Sequence, residues 1–195
     1  SKKKKKKKKK EKKEKKQDKD KDKKEKGKKT VKGNINEVIF FPDEKMPCRN
    51  GSNCTRKTCD FAHEATGLTR MLDYLKSAKK SLDICVFTIT ADEIADTIID
   101  IHKSGITVRI ITDDEQMKSK GSDIDRMSAE GITVKDDNSP FHMHHKFAIV
   151  DNHILVNGSF NWTRQAVLSN RENVVITTES ALVKSFSQEF ESMWK

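Results

Sequence analysis

The stretch HHKFAIVDNHILVNGSFN, residues 144–161, holds two short apolar runs, 146–150 and 154–156, on either side of Asp151, Asn152 and His153. Apolar runs of that length around a polar triplet are the pattern of two antiparallel strands joined by a tight turn. Upstream, 82–87 and 108–112 read as buried strands and 132–134 as a weaker one. The segments between them carry helical periodicity. Residues 67–79 put Leu68, Met71, Leu72 and Leu75 on one face, a second helix carries Ile94, Ile98 and Ile99, and a third is expected over 122–130. A strand at 38–41 precedes them, a strand at 174–177 follows a short helix, and an amphipathic helix over 182–194 closes the chain. Strands alternating with helices imply a parallel sheet covered on both faces. The hairpin adds antiparallel strands, so the expected class is α/β with a mixed, mostly parallel central sheet.

The same stretch carries chemistry, written H-x-K-x4-D-x6-G-S-x-N. Side chains alternate along a strand, so His144 and Lys146 share a face. Asp151, at odd separation, points elsewhere unless the turn re-aims it. An imidazole can attack phosphorus while an ammonium beside it neutralises charge growing on the phosphoryl oxygens. The hairpin would return Ser159 and Asn161 to that face as donors to phosphate. Glu172 follows a short helix, and a carboxylate on the far nitrogen of His144 would hold its tautomer. Singly, each residue has an ordinary reading: surface decoration, a turn, a helix start. In register they point to one phosphate site. His142 shares parity with His144 and Lys146 and is a rival for the proton donor.

Charge divides the chain. Residues 1–30 hold 20 lysines and 6 acids, a net +14, whereas the remainder has 20 basic and 24 acidic residues, a net −4. The overall +10 therefore belongs to a tail, and any anion-binding groove in the folded part must come from local clustering. Residues 1–30 lack apolar side chains, and the tail over 1–36 is expected to be disordered or at most a solvated helix, with solubilisation or attraction to anionic lipid or RNA as its roles. No stretch approaches the roughly 20 apolar residues that span a bilayer, and no signal-peptide core is present, so a soluble chain is expected.

Cys48, Cys54, Cys59 and His63 are spaced C-x5-C-x4-C-x3-H within a charged insertion at 46–64. Three thiolates and one imidazole form a closed tetrahedral shell, which suits structural Zn2+ rather than a catalytic metal. A disulfide with spare residues is the competing reading, disfavoured by the odd cysteine count and the missing secretory signal. Arg49, Arg56 and Lys57 between the ligands are candidates for phosphate contacts and Phe61 for base stacking or for packing over its own loop. Cys85 lies in an apolar run and reads as a core thiol.

The single H-x-K-x4-D pattern with its following G-S-x-N resembles the HKD signature of the phospholipase D superfamily. With the small size and the Cys-rich insertion, residues 37–195 resemble the Zucchini or mitochondrial cardiolipin hydrolase family. The resemblance implies a phospholipase D-like catalytic domain, with His144 as nucleophile, Lys146 and Asn161 binding the scissile phosphate, Ser159 supporting it, Glu172 orienting the histidine, and Asp151 structural rather than chemical. It further implies a metal-independent endoribonuclease of piRNA biogenesis on the cytosolic side of the mitochondrial outer membrane. The alternatives are a cardiolipin-type lipid phosphodiesterase and a zinc-finger RNA-binding module without catalysis. One imidazole cannot be nucleophile and proton donor at once, so a single motif predicts a homodimer that pairs two His144 residues.

Overall fold

The computed structural model describes residues 33–113 and 123–195. The lysine-rich segment up to Lys32 and the start of the helix expected over 122–130 lie outside the described residues. Among those described, seven strands form one sheet: β1 (Asn36–Phe41), β2 (Ser81–Val86), β3 (Thr107–Ile111), β4 (Thr133–Lys135), β5 (Lys146–Val150), β6 (Ile154–Gly158) and β7 (Glu172–Thr177). Their spatial order is β1-β7-β6-β5-β2-β3-β4. Five helices accompany them: α1 (Gly67–Lys76), α2 (Asp92–Lys103), α3 (Ile124–Ala129), α4 (Arg164–Leu168) and α5 (Ser180–Trp194).

The sheet is mixed, as the sequence leads one to expect, but its neighbours are less parallel than the alternation of strands and helices suggests. β2 pairs in parallel with β3, and β3 with β4. The other four pairings are antiparallel. The cause is local. The β5–β6 hairpin enters beside β2 in the reverse sense, and β7 and β1 then add on by alternating direction.

Period-two alternation fills both faces. Leu82, Ile84 and Val86 join Val108, Ile110, Ala148, Val150, Val156, Val174 and Ile39 in the larger core, with the apolar faces of α1, α2, α3 and α4. Cys85, Ile111, Phe147, Ile149 and Leu155 face the other way, under Val183 and Phe190 of α5. A helix layer on each side shields the sheet, which is why β2 and β5 read as near-continuous apolar runs. Arg109 ties α5 to the sheet, donating to Asp83 on β2 (2.7 and 2.9 Å) and to Glu191 (2.6 Å).

The hairpin turn takes the form its residues favour. Asp151 and Asn152 sit at φ 54° and 52°, in the left-handed region that Asp and Asn tolerate, and His153 N–H donates to Val150 O at 2.9 Å. Two positive-φ residues inside such a bond define a type I′ turn, whose twist matches the flanking strands.

Candidate active site

One edge of the sheet gathers the chemical residues. β2, β3 and β6 end there and β5 and β7 begin there, as the pairing of Val86 with Lys146 and of Gly158 with Val174 requires. His144 lies just before β5, where Phe87 N–H donates to His145 O at 2.9 Å and holds this approach segment beside the end of β2. The ring of His144 packs edge-on against Phe87, centroids 4.9 Å apart.

Lys146 reaches back to the same residue. Its ammonium donates to His144 O (2.7 Å) and to His144 Nδ1 (3.2 Å). Burial, reinforced by the Lys146 charge, lowers the His144 pKa from its ordinary 6.5. The imidazole is therefore mainly neutral at pH 7, the form that has a lone pair for attack. Burial also lowers Lys146 from 10.5, against the opposing charge of Glu172. A partly desolvated ammonium interacts more strongly with phosphate than one in bulk water.

Ser159 and Asn161 arrive from the end of β6. Gly158 makes this possible, since a Cβ there would stand 2.0 Å from the Asn173 carbonyl oxygen. The close approach of β6 to β7 lets Ser159 N–H donate to Asn173 O (3.1 Å) and Ser159 Oγ accept from Asn173 N–H (3.2 Å). Asn161 Oδ1 is buried with no hydrogen-bond partner, while its backbone carbonyl accepts from Thr163 N–H at 2.8 Å.

Glu172 differs from expectation. Its carboxylate accepts from Ser159 Oγ and from Asn170 Nδ2 (3.0 Å). The hydrogen bonds of the His144 ring among the described residues go to Lys146, so within one chain the expected bond from Glu172 to His144 is not formed. The start of β7 places Glu172 against the G-S-x-N strand, and both carboxylate oxygens are taken there.

Asp151 sits at the opposite end of β5, five strand steps and roughly 16 Å from Lys146. Its carboxylate accepts from the backbone N–H groups of Lys79 (2.9 Å), Lys80 (2.7 Å) and Ser81 (2.9 Å). It anchors the entry to β2, at the end of the strands away from His144 and Lys146.

Two groups at this edge carried no signal in the sequence. Asp113, 1% exposed, follows β3 and accepts from His142 Nδ1 (3.2 Å) and from Met143 N–H (3.1 Å). Asn170, which braces Glu172, is the other. Both are single polar residues in loops, identifiable only once the strands are assembled.

The cysteine cluster is assembled. The donor atoms of Cys48, Cys54, Cys59 and His63 all lie within 4.8 Å of one another, and Cys48 and Cys59 Sγ are 3.8 Å apart. Those spacings fit one tetrahedral ion with sulfur ligands at about 2.3 Å. Cys48 N–H donates to Ala62 O and Ala62 N–H to Met46 O, pinning the loop to buried Met46. Phe61 packs against the main core, and Arg49 pairs with Asp96 at 3.2 Å, while Arg56 and Lys57 stay exposed.

Residues 71–194 match the family model described as cardiolipin synthase, PLD-like domain. A solved phospholipase D family member, Nuc from Salmonella typhimurium, aligns with a TM-score of 0.67 at 25% identity, over 83% of this chain and 95% of that one. The lysine and histidine at this end of the strands thus sit on a phospholipase D-like fold, and the chain is a phospholipase D-like hydrolase acting on phosphodiester bonds. It is 52% identical to the mitochondrial cardiolipin hydrolase of Chlamydomonas reinhardtii over 84% of its own length and 75% of that protein. It is 41% identical to that of Danio rerio, over 84% of its own length and 74% of that protein. The chain belongs to the mitochondrial cardiolipin hydrolase family.

Proposed function

We propose that this enzyme cleaves single-stranded RNA, without a catalytic metal, through a covalent phosphohistidine on His144. The observation that carries the reading is the pairing of a histidine of lowered pKa, just before β5, with the half-buried lysine two residues on that opens the strand. His144 attacks phosphorus, the P–O bond to the leaving oxygen breaks, and that oxygen takes a proton from a second histidine. The same histidine, now a base, removes a proton from water as it attacks the phosphohistidine, and His144 is regenerated. Lys146, Ser159 and Asn161 stabilise the phosphoryl oxygens.

The second histidine is His144 of another copy. A surface suited to pairing runs from the rim of the site. Val38 and Val175 stand opposite each other on β1 and β7, and Phe40, opposite Asn173, is 71% exposed. α5 packs on β5 and β6 and leaves this apolar strip uncovered.

The cysteine cluster, in this reading, holds structural Zn2+, and Arg56 and Lys57 on its loop face the RNA. Metal analysis of purified protein should return about one zinc per chain, lost in Cys54→Ser. The names of the relatives favour a mitochondrial location and supply the second reading, hydrolysis of cardiolipin. Work in the piRNA pathway at the cytosolic face of the outer membrane follows from the family resemblance. Among the described residues no helix is long and apolar enough to cross a membrane.

Labelled single-stranded RNA, single-stranded DNA and cardiolipin vesicles, each incubated in chelator beside His144→Asn, separate these readings. Cleavage of RNA by the unaltered chain alone is expected, with no obligatory 2′,3′-cyclic phosphate, because His144 rather than the 2′-hydroxyl attacks. Turnover of lipid alone overturns the RNA reading.

A further inference from the structure

Phe87 packs against two imidazoles. Its ring meets His144 at 4.9 Å and His142 at 5.5 Å, both edge-on. The two histidines are two residues apart on the segment leading into β5, which in extended form separates their Cα atoms by about 6.5–7 Å. His142 is not a loose surface side chain. Asp113, almost fully buried, accepts from its Nδ1, while its side chain remains 59% exposed. The same carboxylate oxygen accepts from Met143 N–H, fixing the backbone between the two rings. A ring oriented through Nδ1 in this way turns Nε2 outward as a donor when both nitrogens carry protons.

We infer that His142, held by Asp113, is a second phosphate subsite, which binds the phosphodiester next to the one His144 attacks. The inference rests on the phosphodiesterase reading above and gives its site a substrate class. The preferred substrate has two phosphates joined through a short O–C–C–C–O bridge. Neighbouring phosphates of a nucleic-acid strand have that bridge, from O3′ through C3′, C4′ and C5′ to O5′. The two phosphates of cardiolipin, joined by one glycerol, have it too. An anion on the outward Nε2 completes the ring's hydrogen bonds, with carboxylate on one nitrogen and phosphate on the other. Substrates with one isolated phosphodiester leave the subsite empty. His142 is thus a specificity residue, and proton transfer remains with the paired His144.

The test compares a single-stranded oligoribonucleotide cut at one defined linkage with versions in which each neighbouring phosphate in turn is an uncharged methylphosphonate. Cardiolipin vesicles beside phosphatidylglycerol vesicles form the lipid arm. In the unaltered chain, neutralising one neighbour should lower kcat/KM about tenfold, the size expected of one charge-assisted hydrogen bond. In His142→Ala that ratio should fall to about one, and His142→Lys should restore part of it. A ratio unchanged by His142→Ala overturns the subsite, as does a kcat lost equally on every substrate, which would make His142 part of the chemistry. If RNA is not cut at all but cardiolipin is preferred to phosphatidylglycerol in a manner that His142→Ala abolishes, the RNA reading fails and the subsite stands.

Discussion

At His144, burial and the neighbouring ammonium act in the same direction, both disfavouring the imidazolium. The folded-state pKa lies below 6.5, so the neutral imidazole, which is the form the proposed attack needs, persists as pH falls to that value and is lost only below it. In an NMR titration of the unaltered chain the His144 ring should therefore protonate below pH 6.5, the ordinary histidine value. Lys146→Met should move that midpoint upward but only part of the way, because burial is the larger cause. A midpoint at or above the ordinary value in the unaltered chain would contradict this account of the nucleophile. In the proposed mechanism, substrate changes the Lys146 contact with Nδ1. An ammonium resting on an imidazole nitrogen is free to turn to phosphate oxygens when these are offered, releasing that nitrogen to carry the proton that an attack through Nε2 requires.

At the scale of elements, the hairpin that carries the motif is held by its acid. Asp151 of H-x-K-x4-D is expected to be structural rather than chemical, and its oxygens accept from three backbone N–H groups leading into β2. Asp151→Ala leaves those donors without the carboxylate and should cost about 2–4 kcal/mol by urea unfolding, from charge-assisted bonds lost in a partly exposed setting. A loss of activity with unchanged stability would return Asp151 to the catalytic residues. The strands were legible because a sheet buried on both faces must be apolar at nearly every position, as in residues 82–87 and 146–150. The hairpin was legible because Asp-Asn tolerates the dihedrals of a type I′ turn. The preponderance of antiparallel pairing was not legible, since insertion of the hairpin between β2 and β7 is a choice of tertiary packing. Nor was the Asp113–His142 pair, whose partners are 29 residues apart in loops with no periodicity. His144, Lys146, Ser159 and Asn161, singled out by their spacing, lie together where β5 begins and β6 ends. The partners of Glu172 depended on where β7 begins.

For the whole molecule, the proposed pairing of two copies rests on the single motif and on the uncovered strip of Val38, Phe40 and Val175. A charge on that strip should separate the copies. Phe40→Glu changes a side chain that is already 71% exposed, so the fold should tolerate it. Sedimentation should find the unaltered chain as a dimer and Phe40→Glu as a monomer with at least a hundredfold lower activity, in line with the roughly 10²–10⁴ that general acid–base help supplies. Full activity in a strictly monomeric species would show that one chain completes the site.

The covalent intermediate is the most direct test. Rapid denaturation during turnover of a substrate labelled with 32P at the scissile phosphate, followed by peptide mapping, should find acid-labile, alkali-stable label on the peptide containing His144, and none in His144→Asn. Label that never joins that peptide during turnover, together with activity that survives His144→Asn, would contradict the account.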